Sequence, residues 1–363
     1  MKKVLVDLNH PAHVHLFKYF ITTIEKENFK VFVTAKNVKS ITELLNIYNI
    51  EYITTGKKPD TIYLKYIYEF IHIIKVLYIV WTKRINYGIG VSMVLPLVSK
   101  LSNMKSICLD DDDLIITPTF GKFVSWSNIL LNPSPLAFED RGENRICHPS
   151  YHELAYLHPN RFKPDLKVLE ELGLKENDTF FILRFNVFKA HHDVGISGLN
   201  LEQKLEIVNL LKPLGRIFIT TEREIEPELK EFQMPVAPEK IHSLLYYATI
   251  FIGDSQTMTS EAALLGTPAV KLNSFAGKLS IPNEIENKYE LCYSYLPTEY
   301  KKMIFKIKEL LNTPNLKQIW QGRKEEMLKD KIDLSTFLIS FVRNYPNRIE
   351  PLKKSQTIKQ NFR

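Results

Sequence analysis

The residues best suited to chemistry lie between Ile250 and Val270, in IFIGDSQTMTSEAALLGTPAV. The apolar run Thr249 to Ile252 reads as a strand, and Gly253, Asp254 and Ser255 then supply a turn and a helix N-cap. The backbone N–H groups of Gln256 and Thr257, first in that helix, have no intrahelical acceptor and attract a phosphate. Four residues after Thr257, Glu261 shares its face, while Met258, Ala262 and Leu265 form a buried stripe, so the carboxylate is expected on a semi-exposed surface. A carboxylate accepts two hydroxyl donors at once, as the adjacent hydroxyls of a ribose offer. Phosphate at Ser255, Gln256 and Thr257 with ribose at Glu261 describes a nucleotide diphosphate.

Other reactive groups also stand at strand ends. Arg184 closes a strand in LRF, and Lys189, His191 and His192 follow it, where cations suit a diphosphate and a plain salt bridge for Arg184 is the alternative. Thr221 and Glu222 end the next strand, where a base or sugar could lie, with a structural role as the alternative. His10, His13 and His15 occupy the loop and first helical turn after the first strand. An imidazole there could act as general base, could hydrogen-bond a phosphate or sugar, or could merely cap the helix. Their spacing matches no metal-ligand motif, and no metal is expected. Asp110 to Asp113 could bind a divalent cation, remain in solvent, or include a catalytic acid or base, for which Asp110 is the candidate. Consecutive carboxylates cannot all point one way, so one or two are expected inward.

The elements that must position these groups alternate regularly. Lys2 to Leu8 reads as a buried strand, Val14 to Asn28 as a helix and Lys30 to Thr34 as a second strand, a βαβ unit that implies a parallel sheet. The alternation runs on to strand Lys105 to Leu109, giving one doubly wound domain, residues 1–144. Prolines and charged residues mark 145–178 as an inter-domain segment, and a second α/β series gives a Rossmann-like domain at 179–344, followed by a polar basic tail, 345–363. Two such domains facing a cleft would collect the motifs at the carboxyl ends of their strands.

Thr61 to Arg84 is long and apolar, yet Lys65, Glu69, His72 and Lys75 recur at helical spacing and mark a polar face. An amphipathic helix is expected, not a membrane span. Its other faces carry Tyr63, Ile67, Phe70, Ile71, Ile74, Leu77, Tyr78 and Trp81, either as core or as a weak membrane-surface patch, with Lys57, Lys58, Lys83 and Arg84 at its ends.

Composition is that of an ordinary folded chain of 363 residues, 45% hydrophobic and 25% charged. Three cysteines without a CxxC pair read as buried thiols and suit a reducing cytosol, and the apolar run at the N-terminus, broken at Asp7, is too short for a signal peptide. A cytoplasmic protein is expected, with peripheral contact at the inner membrane face left open. A net charge of +7 is spread without runs, and no nucleic-acid motif is present, so nucleic acid is not an expected partner.

DSQTMTSEAALLGTP resembles the nucleotide-sugar motif of UDP-N-acetylglucosamine 2-epimerases and of the peptidoglycan N-acetylglucosaminyltransferase, which are two-domain GT-B proteins. Over its whole length the chain is more similar to the family called domain of unknown function 354, through DLNHPAHVHLFK, LRFNVFKAHHD and GDSQTMTSEAALLGTP. The resemblance implies that Glu261 holds a uridine ribose, that His242 opens the helix beside the base, and that His13, followed by Val14, matches a histidine in the transferase's first loop; on its own, His242 reads as an ordinary surface histidine. It departs where the epimerases carry two glycines, since Gln256 and Thr257 restrict how closely a pyrophosphate approaches the backbone. A GT-B fold is therefore expected, with helical segments near the C-terminus crossing back to the first domain. The leading function implied is glycosyl transfer from a UDP-sugar to a glycan or lipid-linked acceptor in surface-polysaccharide assembly, without a cofactor. The alternatives are a UDP-sugar 2-epimerase or hydrolase, and a non-catalytic module that binds a glycan or partner.

Overall fold

The computed structural model describes residues 1–57, 62–185, 198–221 and 225–346. Lys58, Lys189, His191, His192, Glu222 and the end of the tail lie outside the described residues, as do the side chains of Lys57, Tyr63 and Lys65. The chain forms two compact units, Met1–Arg161 with Lys331–Arg363, and Phe162–Asp330.

The first unit holds a seven-stranded sheet of β1 (Lys2–Leu8), β2 (Phe29–Asn37), β3 (Ile53–Lys57), β4 (Tyr87–Gly90), β5 (Lys105–Leu109), β6 (Ile129–Pro133) and β7 (Arg145–His148). Its order is β3-β2-β1-β4-β5-β6-β7, and every pairing is parallel. β6 is buried along its length, as a strand covered on both faces must be. Val76, Ile79 and Val80 of helix Ile62–Lys83 join Val94, Leu95 and Val98 over Leu5, Cys108 and Leu130 of the sheet. The order reverses between β1 and β4, which makes their carboxyl ends a switch point where ligands collect in open α/β sheets.

Two boundaries differ from the sequence expectation. β7 lies inside the stretch expected to join the domains; Pro133 ends β6 and Pro149 follows β7, so these prolines sit where a strand can tolerate them. Helix Leu334–Asn344, inside the 179–344 boundary expected for the second domain, belongs to the first unit, as the expected crossing back of C-terminal helical segments requires, and packs on helix Pro11–Ile24. Asp333 caps it by accepting from the Thr336 N–H at 3.0 Å, and Arg161 Nε holds the same carboxylate at 2.7 Å. Its buried Phe337, Leu338 and Phe341 supply the driving force.

The second unit carries β8 (Phe180–Arg184), β9 (Arg216–Thr220), β10 (Ile250–Gly253), β11 (Ala269–Leu272) and β12 (Cys292–Tyr295) in the parallel order β12-β11-β10-β8-β9. Here the switch point falls between β8 and β10. Among the cysteines Cys108 and Cys292 are buried, whereas Cys147 is only half-buried.

The helix expected over Thr61 to Arg84 runs from Ile62 to Lys83, but its burial does not follow the polar spacing: Lys75 is exposed and His72 is not. His72 is buried against Asp7, while Phe70, Tyr78 and Trp81 are 63%, 67% and 58% exposed. No helix among the described residues is long and apolar enough to cross a membrane.

Candidate nucleotide and proton-transfer sites

Helix Gln256–Leu264 begins directly after β10, as its cap requires. Ser255 adopts extended backbone and its Oγ accepts from the Met258 N–H at 3.4 Å, leaving the N–H groups of Gln256 and Thr257 as the first of the helix. A Cβ at Gly253 would collide with the Arg184 carbonyl oxygen, so the tight junction of β10 with β8 requires glycine. The helix stops at Gly266, whose φ of +77° suits glycine.

Gly253 pairs in register with Arg184 on one side and Lys271 on the other. Two cations thus flank the turn at the carboxyl edge of the sheet. Arg184 is buried and its Nη1 donates to Thr220 Oγ1 at 3.1 Å. Lys271 is buried and its ammonium donates to the Gln256 side-chain oxygen; burial lowers its pKa. Lys271 was not singled out by sequence, because one lysine in AVKL reads as simple strand alternation. Thr221, next to Thr220, is half-buried at the end of β9, while Thr257 is exposed in the first turn.

Glu261 is not semi-exposed. It is 6% exposed, and its Oε1 lies 3.0 Å from Nε2 of the equally buried His242. The helix has β10, β11 and β12, helix Ile241–Tyr247 and helix Ser280–Asn287 as neighbours, which buries the side that periodicity left to solvent. The imidazole fixes the carboxylate, and a carboxylate with about four lone-pair sites can accept from His242 and from ligand hydroxyls together.

In the first unit the candidates separate. His10 caps helix Pro11–Ile24, its Nδ1 accepting from the Ala12 N–H at 3.2 Å. His15 is buried against Tyr48 and Tyr156. His13 Nδ1 accepts from the Asn9 N–H at 3.3 Å, which puts the proton of the neutral ring on Nε2. Burial, with His10 and His152 nearby, pushes its pKa down to about 3. As held, His13 offers a donor; acting as a base at Nε2 would require the other tautomer and the loss of the Asn9 bond.

Asn9 is placed by Asp7, whose carboxylate is wholly buried and accepts from Asn9 Nδ2 at 2.9 Å, Ser92 Oγ at 2.6 Å, Thr34 Oγ1 at 2.8 Å and His72 Nε2 at 3.0 Å. Burial opposes ionisation of Asp7, but His72 and the hydrogen bonds overcome it and hold the carboxyl far below the usual range. Burial likewise opposes charging of His72, yet Asp7 raises it to about 9.

Asp110 is committed elsewhere. Its Oδ2 pairs with buried Arg141, its Oδ1 accepts from the Asp112 N–H at 3.1 Å, and Arg141 Nε also meets Glu139 at 2.7 Å. Burial pushes Asp110 up to about 6 against the opposing pull of Arg141. The carboxylates that interact with His13 are Asp111 and Asp7, and Asp111 Oδ2 lies 3.1 Å from Nδ1 of His152. His152 and His148 were not singled out by sequence; HPSYH falls in the stretch read as a linker. Histidines bracketing a strand end were the available signal.

The fold relates the chain to known proteins. It is 25% identical over 284 residues to Uncharacterized protein MJ0665 of Methanocaldococcus jannaschii, an alignment covering 74% of this chain and 80% of that one. Among solved structures it is similar to a UDP-GlcNAc 2-epimerase from Neisseria meningitidis bound to UDP-GlcNAc, at 14% identity and a TM-score of 0.68, covering 94% of this chain and 100% of the other. Acinetobacter baumannii MurG gives 11% identity and a TM-score of 0.58, with 95% and 100% covered. At such identities the likeness establishes the fold, two parallel-sheet Rossmann-like domains of GT-B type. The family model described as Protein of unknown function (DUF354) matches residues 2–346, and the chain belongs to that family.

Proposed function

We propose that the chain is an enzyme acting on a nucleotide sugar, with the second unit holding the nucleotide. The observation that carries this reading is the Gly253 junction, where a helix N-terminus, Arg184 and Lys271 converge one helical turn from Glu261 and His242. The diphosphate is assigned to Ser255, Gln256, Thr257, Arg184 and Lys271, the ribose to Glu261, and the base or sugar to His242 and Thr221. The two cations offset what the missing glycines would have contributed.

Of the possible reactions, a UDP-sugar 2-epimerase or hydrolase has the better support. The solved structure named above with UDP-GlcNAc bound is a 2-epimerase, and the first unit pairs a carboxylate with an imidazole able to move a proton. This reverses the order expected from sequence, which put glycosyl transfer first. Incubating the protein with UDP-GlcNAc tests the choice. An epimer or free UDP supports this reading; conversion only on adding a glycan or lipid-linked acceptor would replace it with glycosyl transfer.

One observation favours that second reading. Ile67, Phe70, Ile71, Ile74, Tyr78 and Trp81 form an exposed apolar stripe on helix Ile62–Lys83, and exposed Lys75, Lys83, Arg84 and Lys100 lie on or near it. A lipid-linked acceptor would bring this face to a membrane, where each basic residue contributes about 1 kcal/mol. Wild-type protein should then float with anionic liposomes at low salt, and Trp81→Glu should weaken the association. Protein that stays in the soluble fraction under those conditions would remove the membrane contact.

A further inference from the structure

Lys271 is a buried cation held by a neutral group. It is 1% exposed, and its ammonium donates to the side-chain oxygen of Gln256. Of the two groups whose charge would favour the ammonium, Cys292 stays a neutral thiol, pushed up to about 12 by burial, and Glu286 accepts from the Ser294 N–H at 2.9 Å. The other buried lysine of the second unit among the described residues, Lys204, meets the Glu226 carboxylate at 2.6 Å. Buried charges are ordinarily paired in that way, because an unpaired one is costly to desolvate. Position adds to the cost for Lys271. Helix Gln256–Leu264 starts at the residue that Lys271 contacts, and a helix N-terminus carries about half a positive elementary charge, which repels a cation.

Backbone register shows what the lysine is placed to reach. Thr220, Arg184, Gly253, Lys271 and Ser294 pair in register across the five strands of the sheet and form one row near its carboxyl edge. Side chains of one row rise on one face. Gly253 leaves the middle of the row bare, with Arg184 on one side and Lys271 on the other. Gln256 is half-buried and Thr257 exposed, so the helix turn opens to solvent while Lys271 does not. A phosphate seated on the N–H groups of Gln256 and Thr257 would lie beside the Gln256 carboxamide and compete with it for the ammonium. A hydrogen bond between two charged groups is stronger than one to a neutral amide oxygen, and a change of side-chain rotamer is enough to move the carboxamide aside.

We propose that Gln256 is a latch on Lys271: in the free protein its carboxamide occupies the ammonium, and a phosphate of the bound nucleotide displaces the carboxamide and takes its place. The proposal rests on the nucleotide reading of this same turn for its ligand. Lys271 is then a binding residue that phosphate alone engages, and Gln256 a positioning residue that acts through it. Together they make the second unit select ligands by a negatively charged oxygen, since a neutral ligand gains nothing by breaking the latch. The anion also supplies the counter-charge that Lys271 lacks and suits the helix N-terminus.

Calorimetric titration of UDP into full-length wild type, Gln256→Ala, Lys271→Met and the double variant tests the latch. Gln256→Ala removes the competing acceptor, so UDP should bind about tenfold or more tightly, the worth of a hydrogen bond to a charged group. Lys271→Met keeps a long buried side chain and should weaken UDP about 10- to 100-fold. In the Lys271→Met background, Gln256→Ala should leave the affinity unchanged. Loss of a merely structural contact would not tighten binding, nor make that gain depend on Lys271. Wild type that binds UDP while Gln256→Ala binds it no more tightly, while the double variant keeps the gain, or while Lys271→Met binds it as well as wild type overturns the latch alone. Wild type that binds no UDP removes the nucleotide reading, and the latch with it.

Discussion

Glu261→Ala is expected to weaken UDP binding by about 100-fold or more. Two hydrogen bonds from ribose hydroxyls to a carboxylate contribute about 1.5–3 kcal/mol each, and every 1.4 kcal/mol is tenfold in affinity. The same change leaves buried His242 without the acceptor it has at 3.0 Å, so a loss of about 1–3 kcal/mol in stability accompanies it. Glu261→Gln separates the two effects, since its amide oxygen can still accept from His242 while the negative charge is gone. Gln should therefore restore most of the stability and little of the affinity. Calorimetric titration of UDP into the three proteins checks this, and equal affinities would remove the ribose assignment.

Asp7→Asn is expected to destabilise the first unit by about 3–5 kcal/mol, the usual cost of breaking a buried ion pair from one side. The amide would turn a donor toward Ser92 or Asn9, both of which donate to Asp7, and would leave His72 only Glu69, 3.7 Å from its Nδ1, as counter-charge. The pH dependence has two edges. His72 is raised to about 9, so its contribution is complete below its ordinary value of about 6.5 and lost as pH rises through about 9. Asp7 is depressed, so its contribution is present above the ordinary carboxylate value of about 3.9 and lost only as pH falls toward its folded value. Between pH 7 and 9 wild type should therefore lose more stability than Asp7→Asn. Urea unfolding followed by amide exchange of β1, β2 and β4 measures both effects. A cost below about 1 kcal/mol would show that the network does not hold the switch point together.

The strand, turn and helix around Gly253 were legible because each device there is local: an apolar run, a serine cap, and a glycine stop. Register and burial were not. Lys271 joins the site only through its pairing with Gly253, which no spacing announces. His72 recurs with Glu69 and Lys75 at a polar spacing, yet a buried aspartate from β1 draws it inward. Asp111 and His152 meet because β5 and β7 lie on the same side of one sheet with β6 between them; sequence alone put the first in an undivided acidic run and the second in a linker. β6 and β7 themselves were hidden by prolines that mark strand ends. Helix periodicity likewise assigned Glu261 to a semi-exposed face, because it cannot count the elements that will pack around a helix.

The central claim is that UDP occupies the turn after β10. Hydrogen–deuterium exchange of the full chain with and without UDP tests it most directly, because the amides of Gln256 and Thr257 are the proposed phosphate donors. Saturating UDP should slow exchange in the segment from Gly253 to Glu261 and at the end of β8 around Arg184, with the first unit little changed. UDP that binds but protects only other segments, or that leaves exchange everywhere unaltered, would contradict the assignment.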